Sequence, residues 1–352
     1  MAADELLIDA HTHIEPQYAE MALRVMDRSG VACSVNLGWE DAYGEKLLKM
    51  LSVFSRWPNR FAQLCNIDWR AVDRPDFGSR AADALEAAVE AGAKGLKIFK
   101  NLGLAVRLKD GELLRVDDRR LDPVFERAGR LGVTVLIHTA DPCWFWRPIG
   151  PDNFWSGVLE GQYARWSYYR TGMPCREELL GERDNLLARH PGTRFVSPHL
   201  ASLADDPLTF AETLEAHPNL YADISARLPT MVRTPQRKEI WREILIRFSD
   251  RILFGTDLIF IDPDVATGIQ SQSFQRPGDL DLQGLSIEQS YEKTSVDYTA
   301  AHVKFLGSAE LQPEAPFRRQ KGSFALQGLG LPKNALEKIL YHTPKRVYGI
   351  EN

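Results

Sequence analysis

The stretch LLIDAHTHIEP, residues 6–16, decides how the rest of the chain is interpreted. An apolar run leads into His11 and His13, and side chains at positions i and i+2 of a strand point to the same face of a sheet. Two imidazoles on one face at the end of a strand can act as two ligands of one metal ion. The alternative is a strand that runs into a polar loop in which the two histidines share no role.

The composition predicts an ordinary globular protein without a nucleic acid or membrane partner. The 352 residues are 44% hydrophobic and 26% charged, with a formal net charge of -5, and the lysines and arginines form no basic block. No apolar run approaches the roughly 20 residues that span a bilayer, and the N-terminus lacks a secretory signal pattern. The cysteines are far apart and form no C-x-x-C pair, which indicates a reducing compartment. We therefore predict a cytoplasmic protein, and whether a leader was removed stays open.

Short apolar runs of β type alternate with amphipathic helical stretches along the whole chain. The predicted strands cover residues 6–11, 32–38, 61–67, 95–100, 133–139, 194–200, 220–225 and 252–257. Several of them are almost continuously apolar, as strands buried on both faces of a parallel sheet are. Eight strand–helix units predict an α/β fold that closes into a (β/α)8 TIM barrel. The absence of G-x-G-x-x-G after the first strand argues against a dinucleotide-binding open sheet.

Two insertions interrupt this alternation. Residues 140–180, after strand five, are rich in Trp, Tyr, Phe, Arg and Pro, and residues 258–289, after strand eight, are rich in Asp, Gln and Gly. In a barrel both lie at the carboxyl ends of the strands, where active sites are built. We expect one domain over residues 1–352 that carries both insertions.

Polar residues collect at the carboxyl ends of the predicted strands. His11 and His13 follow the first apolar run, His138 and His199 end strands five and six, and Asp257 ends strand eight. Chance explains one histidine at a strand end, but it explains poorly four of them together with an aspartate. The other histidines lie before a proline at a helix end, within a helix or near the C-terminus, where capping or packing is expected: His190, His217, His302 and His342.

His11, His13, His138 and Asp257 form a candidate metal site. Imidazole and carboxylate together suit a divalent ion of intermediate softness, so one Zn²⁺ is the first choice and Mn²⁺ the second. A ligand set that leaves one coordination position open is typical of a catalytic site. The ends of strands one, five and eight can meet above a closed barrel, whereas in an open sheet strands one and eight would lie far apart.

Several motifs resemble the amidohydrolase superfamily, in its amidohydrolase-related (type 2) branch. The motifs are DAHTH on the first strand, IHTADP on the fifth, PHLAS on the sixth and LFGTD on the eighth. The segments GLKIFKNLGL and HTADPCWFW are similar to a bacterial group of that branch described as predicted metal-dependent hydrolases. The resemblance covers nearly the whole chain, from residue 6 to about residue 349.

The resemblance implies a barrel with one divalent metal, usually zinc. It implies His11, His13 and His138 as ligands, Asp257 as ligand or acid/base, and His199 as second ligand or catalytic base. It also implies hydrolysis of C–N or C–O bonds, including those of lactones, or non-oxidative decarboxylation of aromatic or unsaturated acids.

Each candidate catalytic residue has a chemical role and a structural alternative. Asp257 is placed to accept a proton from water and to pass it to the leaving group, and its alternative is a helix cap. His199 could hydrogen-bond that water or bind a second ion, and its alternative is a satisfied core histidine. Asp9 either orients a ligand or pairs with a backbone group.

Strand four carries two lysines, and the sequence leaves open where their side chains point. Lys97 points either into the barrel or outward under the helices, and some superfamily members carry a carbamylated lysine there that bridges two metals. We leave Lys97 out of the metal set. Lys100 lies nearer the rim, where it would meet an anionic substrate, pair with Asp257 or remain solvated.

The aromatic and basic insertion predicts the substrate contacts. Trp144 and Arg147 lie within it, and Arg227 follows strand seven on the same rim; with Lys100 they form the predicted substrate-binding set. Arginine between aromatic walls suits a planar, carboxylate-bearing small molecule. The insertion could instead form a small core or a subunit interface, which leaves a homo-oligomer open, and Arg227 could instead pair with Asp223.

Three functions are compatible with these residues. The first is a metal-dependent hydrolase in which a metal-activated water cleaves a lactone, ester or amide of a small acidic substrate. The second is a metal-dependent decarboxylase of an aromatic or unsaturated acid. The third is a barrel that binds a ligand without catalysis, against which the complete ligand set argues.

Overall fold

Parallel strands surrounded by helices form the body of the molecule. The computed structural model describes residues 6–232, 234–262, 284–312 and 326–351. The strands of the body are β1 (Leu7–Ile14), β2 (Val31–Asn36), β3 (Phe61–Gln63), β4 (Gly95–Ile98), β5 (Thr134–Ile137), β6 (Arg194–Ser197), β7 (Leu220–Asp223), β8 (Ile252–Leu253) and β9 (Leu258–Phe260). A separate antiparallel pair consists of β10 (Leu311–Gln312) and β11 (Leu326–Gln327).

The body strands pair in two parallel sheets, in the orders β3-β2-β1-β9 and β4-β5-β6-β7-β8. At the β3–β4 junction the Cys65 amide donates to the Gly95 carbonyl at 2.9 Å, and the Lys97 amide donates to the Cys65 carbonyl at 2.7 Å. These hydrogen bonds continue the ladder from one sheet to the other.

The second junction joins the end of the barrel to its beginning. The Ala10 amide of β1 donates to the Phe254 carbonyl at 2.9 Å, and the Asp257 amide donates to the His11 carbonyl at 2.8 Å. The strands therefore surround one axis, and the predicted (β/α)8 barrel is confirmed.

A helix covers the outside of the barrel after each strand position. The long helices are Ala19–Ser29, Gly44–Phe54, Phe77–Glu90, Asp122–Leu131, Arg176–Arg189, Pro207–Ala216, Pro235–Arg247 and Ile287–Gly307. Shorter helical segments are Pro16–Tyr18, Trp69–Ala71, Asn101–Leu104, Arg119–Leu121, Cys143–Trp146, Ser156–Leu159, Gly161–Trp166, Pro198–Ala201, Leu228–Met231, Lys333–Glu337, Lys338–His342 and Thr343–Tyr348. Gly30 and Gly132 end their helices with φ of 72° and 67°, a left-handed conformation that glycine adopts at low cost.

Two apolar clusters explain which end of the barrel is open. The larger one lies between the strands and the helices. The smaller one fills the barrel interior with side chains such as Ile8, Val35, Leu136 and Val196, and Val347 of the last helix joins it. That helix closes the amino-terminal end of the barrel, so a cavity forms at the carboxyl end.

Two strand boundaries differ from the prediction. β1 runs through both histidines to Ile14, because Thr12 pairs with Asn36 of β2 on one side and with Leu258 of β9 on the other. Strand eight is short, and β9, which lies in the predicted second insertion, adds a separate pairing to β1. Residues 263–283 of that insertion lie outside the described residues.

The helices and the cysteines bear on the predicted surroundings of the protein. In the described part of the chain, no helix is both long enough and apolar enough to cross a membrane. The cysteines are free thiols, and Cys33 and Cys65 are buried.

Candidate metal centre

A cavity of about 370 Å³ opens at the carboxyl end of the barrel. It is lined by histidines, aromatic rings and charged groups from the strand ends and from the first insertion: His11, His13, Trp39, Glu40, Lys97, Phe99, Lys100, His138, Asp141, Phe145, Trp155, Arg165, Trp166, His199, Ala226, Arg227, Asp257, Ile259 and Tyr298. Every predicted metal-site and catalytic residue is among them.

Two imidazoles converge on one carboxylate at the floor of this cavity. The Nε2 atoms of His11 and His13 lie 3.2 and 3.4 Å from Oδ1 of Asp257. Both rings are buried, whereas the Asp257 side chain is 27% exposed toward the cavity. His11, His13 and Asp257 can therefore hold one cation that remains accessible to a small molecule.

The outer nitrogens of these rings are anchored. Nδ1 of His11 lies 2.7 Å from Oδ2 of Asp223, and Nδ1 of His13 lies 2.6 Å from the Gly38 carbonyl oxygen. A carbonyl oxygen only accepts hydrogen bonds, so His13 carries its proton on Nδ1 and presents the Nε2 lone pair to the site. Such partners fix the orientation and the tautomer of metal-binding histidines.

His138 and His199 lie beside this group. Their ring centroids are 4.8 Å apart, and those of His11 and His199 are 5.0 Å apart. Nδ1 of His199 donates to the Ser225 carbonyl at 3.0 Å, which leaves its Nε2 available. Nε2 of His138 is buried and has no hydrogen-bond partner among the described residues. A buried imidazole nitrogen without a partner is costly unless a ligand satisfies it.

The donor set fits a divalent cation between His11, His13 and Asp257. A second group, His11, His199 and Asp223, also has ligand atoms within 4.8 Å of one another. Its polar atoms already bond to one another and to Ser225, whose hydroxyl donates to Asp223 Oδ1 at 2.6 Å. The second group is therefore a supporting network, and the first one is the candidate ligand set.

The surroundings of the site keep most of its histidines neutral and Asp257 ionised, which are the protonation states that bind a metal ion. Burial lowers the pKa of His13, His138 and His199, so their rings are neutral at neutral pH. Burial raises the pKa of Asp257, but His11 and His13 outweigh it and hold that pKa well below its usual range. Burial likewise lowers the pKa of His11, but Asp223 and Asp257 outweigh burial and raise it to about 9.

Left-handed backbone marks the rim around the candidate metal centre. Ala140 follows β5 with φ of 60°, Ala226 follows β7 with φ of 54°, and Asp257 follows β8 with φ of 67°. After β6, the four residues 199–202 have φ between 54° and 58°. Left-handed conformations of residues other than glycine are uncommon and cluster at functional sites.

Two further residues fix the junction of β1 and β8. Asp9 accepts hydrogen bonds from the His11 amide at 3.1 Å and from the Thr256 amide and hydroxyl at 3.0 and 2.6 Å, so it bonds to the backbone of a ligand residue and not to its ring. Gly255 approaches His11 so closely that an added Cβ would lie 2.9 Å from the Cβ of His11. The motif FGTD therefore needs glycine beside the first histidine.

Two of the four predicted substrate-binding residues, Arg227 and Lys100, line the cavity. Arg227 is buried, lines the cavity and places its guanidinium 5.3 Å from the Trp155 ring centroid. It makes no ion pair with Asp223 among the described residues. Lys100 also lines the cavity, but its ammonium pairs with Asp141 at 2.6 Å instead of with Asp257.

Trp144 and Arg147 are not among the lining residues. Trp144 is buried in a small apolar cluster of the first insertion, and Arg147 is exposed beyond it. This cluster agrees with the alternative interpretation of the first insertion, in which its aromatic residues form a small core. Its Phe145 and Trp155 also line the cavity, together with Arg165. Irregular loops have no residue periodicity, so the sequence indicated the segment but not which of its side chains face the substrate space.

The barrel, the cavity at its carboxyl end and the histidine–aspartate group define the class of a metal-dependent (β/α)8 enzyme. The family model described as Amidohydrolase (Amidohydro_2) matches residues 56–350. The chain therefore belongs to this family of metal-dependent enzymes, which includes hydrolases and decarboxylases. The match begins after His11 and His13, which β1 brings to the same site. No curated protein sequence matches the chain significantly.

Solved structures share the fold at low sequence identity. An uncharacterized TIM-barrel protein from Bordetella bronchiseptica is 14% identical over 98% of each chain, with a TM-score of 0.51. A 2,6-dihydroxybenzoate decarboxylase from Rhizobium is 13% identical over 99% of each chain, with a TM-score of 0.53. A 5-carboxyvanillate decarboxylase from Sphingomonas paucimobilis is 12% identical over 99% of this chain and 100% of its own, with a TM-score of 0.53. At these identities the likeness establishes the fold.

Proposed function

We propose that this enzyme is a Zn²⁺-dependent hydrolase that cleaves a C–O or C–N bond, in a lactone, ester or amide, of a small acidic substrate. Mn²⁺ is the second choice of metal. The observation that carries the proposal is the convergence of the His11 and His13 Nε2 atoms on Asp257, with both Nδ1 atoms anchored behind them.

His11, His13 and Asp257 would hold the cation, and His138, whose buried Nε2 has no hydrogen-bond partner among the described residues, would be the fourth ligand. A divalent cation supplies Lewis acidity there, lowering the pKa of water to about 7 and polarising a substrate carbonyl. Asp257 is ionised at neutral pH and partly exposed to the cavity. Its carboxylate would accept a proton from the attacking water and then donate that proton to the leaving oxygen or nitrogen.

His199 would assist Asp257 as a catalytic base or hydrogen-bond partner. Its Nδ1 donates to the Ser225 carbonyl, so the neutral ring offers Nε2 as an acceptor. The Asp223 carboxylate accepts the His199 backbone amide at 2.9 Å and therefore positions the ring relative to His11.

The cavity walls support an anionic, flat substrate. Arg227 offers a buried guanidinium whose Nε has no hydrogen-bond partner among the described residues. Trp155 lies beside this guanidinium, and Trp39 and Phe99 supply further aromatic surface to the cavity. Arginine beside aromatic rings binds planar carboxylates well, because the guanidinium both hydrogen-bonds and stacks.

A metal-dependent decarboxylase is the second candidate. The aromatic walls favour it, since they match the ring of an aromatic acid, and the same ligand set can polarise a substrate that loses CO₂. For either reaction we propose a cytoplasmic enzyme whose single domain spans residues 1–352 with two insertions. Its partner would be a small molecule.

The reaction can be tested on purified protein with a stoichiometric amount of zinc. Lactones, esters and amides with and without a carboxylate, together with hydroxybenzoates, are incubated with the enzyme while released acid and released CO₂ are measured separately. We expect metal analysis to find one ion per chain, and we expect acid release from at least one carboxylate-bearing substrate.

The variants His11→Ala and Asp257→Asn should lose turnover by several orders of magnitude, and His11→Ala should also lose the metal. The control His342→Ala changes an exposed histidine outside the cavity and should behave as the unmodified enzyme. CO₂ release without hydrolysis would favour the decarboxylase. Turnover that persists in Asp257→Asn would contradict the proposed role of this carboxylate.

A further inference from the structure

A buried lysine without a charge partner lies in the middle of β4. Lys97 is 1% exposed and lines the cavity, so its side chain points into the barrel. Across the described residues its ammonium makes no hydrogen bond and no ion pair. The ammonium instead lies over the Phe99 ring, whose centroid is 4.7 Å from Nζ.

The surroundings of Lys97 leave this charge uncompensated. Burial lowers the pKa of Lys97 to about 8, against the opposing influence of Asp223, Asp257 and Glu40. Those carboxylates are engaged elsewhere: Asp223 and Asp257 contact His11, and Glu40 accepts a hydrogen bond from Asn101 at 3.0 Å. Burying an unpaired ammonium destabilises a fold, so stability alone does not account for a lysine at this position.

The next lysine along the chain has the charge partner that Lys97 lacks. Lys100 lies three residues later, is 24% exposed and pairs with Asp141 at 2.6 Å. Lys97 has no such partner although it is more deeply buried.

Topology places Lys97 and Arg227 on different sides of the histidines. Within the sheet, β5 and β6 separate β4 from β7, and they lead to His138 and His199. Lys97 lies on β4, and Arg227 follows β7. Lys97, His138 and Arg227 all line the cavity, so the three groups face the same space. An acid that entered this space would meet a cation at either side of the candidate metal centre.

We propose that Lys97 is a specificity-determining residue whose ammonium binds a carboxylate of the substrate. With Arg227 it selects flat acids with two carboxylates over acids with one. This proposal rests on the proposed function for the nature of the substrate, but its test requires binding and not turnover.

Calorimetric titration with three probes tests the assignment. The probes are isophthalate with two carboxylates, benzoate with one and uncharged benzamide, each titrated into zinc-loaded protein at pH 7. We expect affinity to fall in that order. Lys97→Met should weaken isophthalate binding about 30-fold or more, as the loss of a buried charge pair does, and should change benzamide binding less than about threefold. Lys94→Met, which removes an exposed lysine three residues earlier, is the matched control.

Thermal unfolding gives a second readout that separates recognition from packing. Lys97→Met should raise the melting temperature of the ligand-free protein, because it removes an uncompensated buried charge. A lysine with a merely structural role would lower it. Lys97→Gln, which keeps a polar but neutral side chain, should weaken isophthalate binding in the same way and serves if the methionine variant does not fold.

Two results would overturn the proposal. One is isophthalate affinity in folded Lys97→Met and Lys97→Gln within about threefold of the unmodified protein. The other is a second, bicarbonate-dependent metal ion that requires Lys97, which would assign the residue to the metal site. Repeating the titration after dialysis against a chelator separates the two proposals. If isophthalate binding to the metal-free protein depends on Lys97 while the zinc-loaded enzyme shows no turnover, the proposed function is contradicted and this inference is supported.

Discussion

Asp223 connects more groups of the site than any residue singled out from the sequence. One carboxylate oxygen contacts Nδ1 of His11, and the other accepts the His199 amide and the amide and hydroxyl of Ser225. The sequence suggested Asp223 only as an alternative partner of Arg227. The signal that could have identified it is its position, since it ends an apolar strand as Asp257 does.

Asp223→Asn should weaken zinc binding about 10- to 100-fold, because an amide no longer fixes the His11 tautomer and leaves less electron density on Nε2. Competition with a chromophoric chelator measures the affinity. Asp297→Asn, which changes a surface carboxylate paired with Lys293, is the control. Equal zinc affinity in both variants would show that Asp223 does not support the ligand.

Zinc binding should release close to one proton per chain at pH 7.5, since His11 is protonated in the metal-free protein with a pKa of about 9. Between pH 7 and 9 the apparent affinity should rise by about tenfold per pH unit and then level off. Calorimetry in buffers of different ionisation enthalpy counts the proton. Metal-free protein should correspondingly lose stability as the pH rises from 6.5 through 9. Binding enthalpies that are independent of the buffer would contradict this assignment.

At the scale of elements, the turn after β6 shows how a strained segment is held. A left-handed conformation costs about 1–2 kcal/mol for each residue other than glycine, and residues 199–202 adopt it in succession. The helix Arg176–Arg189 restrains the turn, because Arg183 donates to the Ala201 carbonyl at 2.8 Å and Arg176 donates to the Ser202 carbonyl at 2.6 Å. The Ser202 hydroxyl donates to the Thr139 carbonyl at 2.7 Å. The position of His199 thus depends on a neighbouring helix.

Ala201→Val should lower the free energy of unfolding by about 2–4 kcal/mol, since a β-branched side chain is unfavourable at positive φ and the site is fully buried. Ala201→Gly should stay within about 1 kcal/mol of the unmodified protein, because relief of backbone strain offsets the lost methyl group. Urea unfolding of both variants measures the difference. Equal losses would indicate that volume, and not backbone conformation, limits this position.

The sequence predicted the strand positions and their polar ends, because apolar runs and histidine spacing are local signals. It did not predict the left-handed turn, since Leu200, Ala201 and Ser202 are residues without a preference for positive φ. It also missed β9, whose apolar residues form a strand only because β1 offers them a free edge. The cavity-facing residues of the first insertion depend in the same way on long-range packing.

At the scale of the whole molecule, the candidate metal centre joins distant parts of the chain. β1 lies between β2 and β9, and Asp257 from the end of the barrel reaches both histidines of β1. Neighbouring structures keep this barrel at 12–14% identity, because a parallel barrel requires apolar runs and not particular residues. A ligand that bridges the two ends stabilises the closed form of the barrel.

Zinc should raise the melting temperature in a concentration-dependent way, by an amount equivalent to about 4 kcal/mol at a free concentration 1,000 times the dissociation constant. Scanning calorimetry with buffered free zinc measures the increase. His13→Ala should abolish the dependence and His342→Ala should retain it. A melting temperature that does not respond to zinc or to a chelator in the unmodified protein would exclude a cation at this junction.

The meeting of β1 with the loop after β8 also has a consequence for synthesis on the ribosome. His11 and His13 leave the exit tunnel before the strands that follow them, whereas Asp257 emerges only after most of the barrel has been made. The three groups that could hold a cation, His11, His13 and Asp257, therefore come together only when the final strand docks, so a site built from them is completed late.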